Sequence, residues 1–211
     1  MSGRRTRERI LETSLVLFNE RGEPGVTTNH IAAELDISPG NLYYHFRSKD
    51  DILEQLFLRH EAALDEVLAV AGDTLPELED LWFRLHTLFE RMWAFRFLYR
   101  NLVELLGRNR RIRLRFARLL GRARESLGRV LSGLALRGAL DAPPEQIRAT
   151  VENVLLVTVF WIGFDAVRHG HEASRGADLA AGVYQVMMLI APLLREPERT
   201  HLLRLAQAYR R

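Results

Sequence analysis

The chain has 211 residues, 47% of them apolar, enough for one large domain or two small ones with a real core. It contains no cysteine, which excludes disulfides, thiolate metal sites and cysteine catalysis. Its net charge of +3 is small, and nearly every base is arginine, Lys49 being the only lysine.

Hydrophobic spacing predicts an all-α protein. The first helix runs over about Arg5–Glu20, with Ile10, Leu11, Leu15 and Phe18 on one side, and Gly22 and Pro24 end it. Thr27 and Thr28 precede a second helical pattern with Ile31, Ala32 and Leu35 on one face, which Asp36, Ile37 and Ser38 interrupt. Ser38 then stands at an N-cap with Pro39 at the first helical position. Leu42 and Phe46 repeat at i,i+4 and can pack back on Ile31 and Leu35. Gly40, Asn41, Tyr43, Tyr44 and His45 point elsewhere, and this small, aromatic and hydrogen-bonding set suits a surface that meets nucleic acid. Two short helices on a tight turn, the second presenting such a face, make a helix-turn-helix.

Ser48 opens the next helix, with Asp51 three residues on as a capping box, and the helix continues to Leu68. Gly72 and Pro76 mark a break. Leu78, Leu81, Trp82, Leu85, Phe89 and Met92 carry the following helix, and a kink near Phe95 leads to a short one over Phe97–Leu106. A long helix follows from about Arg111 to Leu136. After a break at Gly138–Pro144, the helix at about Glu145–Arg168 is apolar nearly all round at its centre and must be buried on more than one side. His169–Gly176 reads as a loop. The helix at Ala177–Leu194 presents small residues that let a neighbour come close, and a terminal helix reaches Tyr209.

The N-terminus is polar and basic, unlike a signal peptide, and the longest charge-free apolar stretch, Val154–Phe164, is short of a membrane span. A soluble, cytoplasmic protein without membrane contact is expected. Residues 1–50 hold seven acids and seven bases, whereas Arg91–Arg137 holds thirteen arginines against two acids. DNA binding therefore does not rest on a basic N-terminal segment. No carboxylate cluster, nucleophile–base pair or phosphate loop supports an enzyme, and no cofactor is expected. His169, His171 and Glu172 are close enough in sequence to raise a metal site, though a glycine-rich loop merely exposes such residues.

The ordered stretch ISPGNLYYHFRSKDDIL, from Ile37 to Leu53, with Phe18, Gly22 and Thr27–Thr28 before it, resembles the signature of the TetR family of bacterial transcriptional regulators. The phrase FNERGEP…ISPGNLYYHF is also similar to a subgroup that includes the polyhydroxyalkanoate regulator PhaD. The resemblance implies a helix-turn-helix DNA-binding domain at 1–50 and a helical effector-binding and dimerisation domain at 51–211. It implies a repressor that binds a palindromic double-stranded operator as a homodimer and is released by a small hydrophobic or acyl-CoA-like effector. It places Thr27, Thr28, Tyr43, Tyr44, His45 and Lys49 at the DNA, with phosphate-side roles for all but Thr27. Ser38, Pro39, Gly40 and Asn41 fall at the end of the recognition helix that enters the major groove. Asn41 can read adenine through its amide, and Gly40 lets the backbone approach a base. One of Tyr43 and Tyr44 is expected in the core, as aromatic pairs in short helices often split.

For the effector, Trp82, Met92, Phe95, Asn101 and Trp161 form an aromatic-rich set with polar handles, though each can equally be core. Arg111, Arg115, Arg118 and Arg122 share a helix face that is either solvated or open to an anionic ligand or more DNA. A competing reading keeps the DNA-binding fold but gives control to a protein partner.

Overall fold

The computed structural model describes residues 2–69, 77–170 and 177–209. The break at Gly72 and Pro76 and the metal candidates His171 and Glu172 lie outside them. Among the described residues the fold is all-helical. The helices are α1 (Ser2–Arg21), α2 (Thr28–Glu34), α3 (Pro39–His45), α4 (Lys49–Leu68), α5 (Leu78–Ala94), α6 (Arg96–Arg100), α7 (Leu102–Arg108), α8 (Arg110–Leu136), α9 (Pro144–His169), α10 (Ala177–Ile190) and α11 (Glu198–Gln207). A 3-10 turn at Ala191–Leu193 accommodates Pro192 at the end of α10.

Two expected boundaries differ. The short helix expected over Phe97–Leu106 is two helices, α6 and α7, parted at Asn101, whose φ of −129° and ψ of 34° leave the helical region. His169, expected in a loop, closes α9, and the turn comes at Gly170 with φ of 77°. Its Nδ1 lies 3.0 Å from the Asp165 carboxylate one turn back, and no metal-binding cluster occurs among the described residues.

The chain divides into two compact units. The first runs to Ala62 and adds Phe95–Arg115; the second comprises Ala63–Ala94 and Phe116 onward. The core of the first joins Ile10, Leu11 and Phe18 of α1, Ile31 of α2, Leu42 and Phe46 around α3, Ile52, Leu53 and Leu56 of α4, and Phe97 and Leu98 of α6, all buried. Leu42 and Phe46, and Ile52 and Leu56, are i,i+4 pairs on one face. No helix of seven residues is stable alone, so this shared core fixes α2 and α3. In the same unit His60 of α4 is fully buried, with Nε2 2.6 Å from the Tyr99 hydroxyl and the rings of Phe57 and Phe95 beside it. Burial disfavours its charged form and pushes its pKa down to about 3, and burial raises that of Tyr99.

The second unit packs α10 on α9 and α5 around Leu81, Leu85, Phe89, Val154, Trp161, Val183, Val186 and Met187. Gly182 makes this approach possible. A Cβ there would stand 2.6 Å from Cδ1 of Trp161 and closer still to Phe89. By length and composition α9 can cross a membrane, which the charge-free stretch Val154–Phe164 alone cannot. Of the most apolar window of α9, 44% is buried within the chain. Its remaining apolar side chains Leu156, Phe160, Phe164 and Val167 are exposed and recur at i, i+4, i+8 and i+11, a single stripe.

The arginine face of α8 is largely answered by acids of α4. Within the first unit Arg111 pairs with Glu54 at 3.1 Å and Arg115 with Glu61 at 2.9 Å. Within the second, Arg122 pairs with Asp65 at 2.8 Å.

Candidate nucleic-acid interface

Local chemistry sets each end of the helix-turn-helix. Thr27 caps α2. Its hydroxyl accepts from the His30 N–H at 3.2 Å, and the His30 ring accepts from the Thr27 N–H at 3.3 Å. A histidine thus does what glutamate or glutamine does in the usual capping box. Asp36 turns the chain in the left-handed region, φ 53°, which aspartate tolerates better than most residues. Ser38 caps α3 by accepting from the Asn41 N–H at 3.2 Å, with Pro39 at the first helical position. Ser48 accepts from the Asp51 N–H at 3.1 Å, and the Asp51 carboxylate takes the Arg47 N–H at 3.0 Å. The α4 cap therefore reaches one residue further back than a simple box.

These caps aim the expected residues outward. Leu42 and Phe46 are buried, while Thr27, Ser38, Pro39, Gly40, Asn41, Tyr43 and Tyr44 are exposed and Thr28 and His45 half-buried. The expectation that one tyrosine enters the core is corrected, since Tyr43 is 48% and Tyr44 84% exposed. Leu42 and Phe46 already fill the inward side of so short a helix, so no inward position remains for either ring. Tyr43 instead meets Thr28, hydroxyl to hydroxyl, at 3.1 Å, and the Tyr44 ring stands edge-on to His45 at 5.1 Å. A Cβ at Gly40 would meet only the Ser38 hydroxyl, at 3.9 Å. Packing among the described residues therefore does not demand glycine there.

Lys49 is placed differently from the rest. Its ammonium has three oxygens within 3.1 Å: the carbonyls of Glu23 at 3.1 Å and Val26 at 3.0 Å, and the Glu23 carboxylate at 2.8 Å. The Glu23 side chain is only 3% exposed, and its second carboxylate oxygen accepts from the Arg108 guanidinium. Sequence reasoning passed over both Glu23 and Arg108. An acid set between Gly22 and Pro24 carries no signal of burial, and its partner lies 85 residues away.

The five residues expected around an effector are divided between the two units. Phe95 lies beside His60, and the Asn101 amide donates to Glu104 at 2.8 Å, both in the first unit. In the second unit Trp82 stacks on His86, Trp161 packs against Phe164, and Met92 is buried. That unit does hold an apolar cavity of about 70 Å³, lined mainly by Val67, Leu68, Leu81, Leu85, Leu88, Leu127, Val130, Val154 and Leu155. Ser126 and Thr158 also line it. The Thr158 hydroxyl is buried and unpaired among the described residues, whereas that of Ser126 donates to the Leu68 carbonyl at 2.7 Å. None of the five lines this cavity.

Comparison with known proteins agrees with this geometry. Residues 10–56 match the family described as bacterial regulatory proteins, tetR family, and residues 59–202 match TetR, bacterial transcriptional repressor. A crystal structure of a TetR-family transcriptional regulator from Marinobacter aquaeolei VT8 is 39% identical, with a TM-score of 0.89 over 98% of this chain and 99% of that one. A putative transcriptional regulator from Saccharomonospora viridis, solved in complex with choline, shares the fold at 19% identity, with a TM-score of 0.71 over 91% and 99% of the two chains. The biofilm operon negative transcriptional regulator IcaR of Staphylococcus aureus is 41% identical over 49 residues, 23% of this chain and 26% of that protein. The chain thus covers about a quarter of the length of that curated relative. With family matches on both its parts and a full-length relative of the same fold, the chain belongs to the TetR family of bacterial transcriptional regulators.

Proposed function

We propose that this protein is a cytoplasmic repressor, without catalytic activity or membrane contact, that binds a palindromic operator as a homodimer. In this reading residues 1–50 are the DNA-binding domain and 51–211 the effector and dimerisation domain. The observation that carries it is the exposed, capped face of α3. Ser38, Pro39, Gly40 and Asn41 lead into the major groove, and Thr28, Tyr43, Tyr44 and His45 take phosphates on either side. Thr27 sets the start of α2 between them. Among the described residues only the backbone N–H of Asn41 serves the Ser38 cap, which leaves its amide to read a base.

The dimer reading is supported by the stripe Leu156, Phe160, Phe164 and Val167 on α9. Four large apolar side chains in one row are too much surface to leave wet. A second copy of α9 and α10 covers it and sets two recognition helices at two half-sites.

An effector reading is supported by the aliphatic cavity and its unpaired Thr158 hydroxyl. A small hydrophobic molecule or an acyl chain with one polar group suits it, as the similarity to the PhaD subgroup implies. Such a ligand releases DNA only if it binds the non-binding conformation better. The size of the cavity favours a second reading. At about 70 Å³ it is well below the roughly 300 Å³ at which ligand pockets begin, as expected if a protein partner, not a ligand, exerts control, while the wider clefts of the same unit, about 650 and 680 Å³, are open to solvent. Pairing of Arg111, Arg115 and Arg122 with α4 weighs against those side chains as an acyl-CoA phosphate site.

One experiment tests both levels. The wild-type protein is used to select duplexes from a random library, and the selected duplex is then titrated with decanoyl-CoA and decanoate. Selection of an inverted repeat supports the regulator. Release by either ligand, lost in Thr158→Val, supports the effector cavity, and no release by either favours the protein-partner reading.

A further inference from the structure

Lys49 begins α4, directly after the helix-turn-helix, where a phosphate contact is the obvious role for a lone lysine. The structure gives its ammonium other work. Its ammonium donates to the Glu23 and Val26 carbonyls and forms an ion pair with the Glu23 carboxylate at 2.8 Å. The loop leads straight to the Thr27 cap of α2. The Glu23 carboxylate that receives Lys49 is buried, and it also holds Arg108, the last residue of α7. A carboxylate so nearly removed from water is tolerable only while its cations stay in place, because an unpaired buried charge is costly. Three segments of one compact unit therefore meet at one side chain: the approach to α2, the start of α4 and the end of α7.

We infer that Glu23, Lys49 and Arg108 form a positioning hub that sets the helix-turn-helix for DNA, and that Lys49 acts through Glu23 rather than on a phosphate. The inference rests on the DNA-binding reading above. Glu23 fixes the loop from which the Thr27 cap springs. Thr27 sets α2, and α2 holds Tyr43 of α3 through Thr28. Moving the start of α4 or the end of α7 shifts this carboxylate and, with it, the face offered to DNA. Arg108 is thus a positioning residue with no DNA contact of its own.

Charge alone and positioning predict opposite signs at Glu23. Removing an acid near DNA strengthens binding if only the field matters, whereas loosening the hub weakens it. At Lys49 the two differ in salt dependence. A lost phosphate contact flattens the plot of log affinity against log salt by about 0.9 per subunit, and a lost internal tether leaves it unchanged.

The test uses a duplex selected by the wild-type protein from a random library, with a scrambled duplex as control. Affinities are measured by fluorescence anisotropy over a salt series for Glu23→Gln, Lys49→Met, Arg108→Gln, Arg108→Lys and the double variant Glu23→Gln/Lys49→Met. The hub predicts that each of the first three weakens binding to the selected duplex, by about tenfold, within the usual range of coupling between sites. It predicts little change on scrambled DNA, an unchanged salt slope, partial rescue by Arg108→Lys and a double variant no worse than its components. Thermal melts confirm that each variant is folded at the assay temperature, so loss of structure is not mistaken for misplacement. Tighter binding by Glu23→Gln, or a flattened slope in Lys49→Met with an additive double variant, overturns the inference and restores Lys49 to the phosphate. Failure of the wild-type protein to select any duplex overturns the DNA-binding reading itself.

Discussion

The hydroxyl of Tyr43 lies 3.1 Å from that of Thr28, joining the second helix of the helix-turn-helix to the start of the first. Both groups belong to the surface assigned to phosphates, and neither is needed by the core, since Tyr43 is 48% exposed. Tyr43→Phe removes the link and the phosphate donor together. Stability should stay within about 0.5 kcal/mol of wild type, as for an exposed site. Affinity should fall by about fivefold on selected and scrambled duplexes alike, the worth of about 1 kcal/mol for one hydrogen bond. Anisotropy beside a thermal melt checks both, and unchanged affinity would remove Tyr43 from the DNA surface.

Gly182 lets α10 approach α5 and α9 closely. Gly182→Ala gains helix propensity, about 1 kcal/mol, but its methyl must displace Phe89 and Trp161. Phe89 is fully buried and has nowhere to swing, so overpacking of about 1–3 kcal/mol should prevail. The melting temperature should drop by a few degrees, at roughly 2–4 °C per kcal/mol for a chain of this size. A rise instead would mean that the two rings repack freely.

The buried His60 makes stability sensitive to acid. Its pKa in the folded state, about 3, lies below the ordinary 6.5, so the unfolded chain takes up the proton first as pH falls. The contribution is complete above about pH 6.5 and is lost progressively toward pH 3. Between pH 7.5 and 5 the loss is about 2 kcal/mol. The double variant His60→Leu/Tyr99→Phe removes both polar partners and should unfold with a shallower dependence on pH over that range. Chemical denaturation at several pH values measures the two slopes, and parallel curves would mean that His60 takes up its proton in the folded state as readily as in the unfolded chain.

The α9 stripe makes its own demand. Phe160→Glu/Phe164→Glu sets two charges in the middle of the apolar row. Sedimentation at micromolar concentration should give a dimer for the wild type and a folded monomer for the variant. A variant that sediments as the same dimer would move the interface elsewhere.

The local devices were legible in the sequence because they are local. The Ser38–Pro39 cap, the inward pair Leu42 and Phe46, and the start of α4 at Ser48 each depend on residues within four positions of one another. What escaped depends on chain folding. Glu23 and Arg108 become partners only when α7 folds against the loop before α2, whereas His60 continues the i,i+4 row of Ile52 and Leu56, so its burial lay within reach of the spacing. Of the aromatics proposed for an effector, Trp82 stacks on His86 and Trp161 packs against Phe164, contacts that no spacing in the sequence announces. The small apolar cavity is lined by aliphatic side chains that look like ordinary core. The arginine face of α8 has partners on α4 because acids recur there at Glu54, Glu61 and Asp65, a pattern present in the sequence but attached to no particular neighbour.

The claim that the α3 face reads DNA is tested most directly by Asn41→Ala on the selected duplex. Asn41 is uncharged and exposed, and its side chain makes no hydrogen bond among the described residues, so its loss isolates base reading from phosphate attraction and from folding. The account predicts a loss of about 1–3 kcal/mol per bidentate contact, confined to the selected sequence and relaxed at one base position in each half-site, with the salt slope unchanged. Equal affinity of wild type and Asn41→Ala for the selected duplex, with no relaxed position, would contradict it.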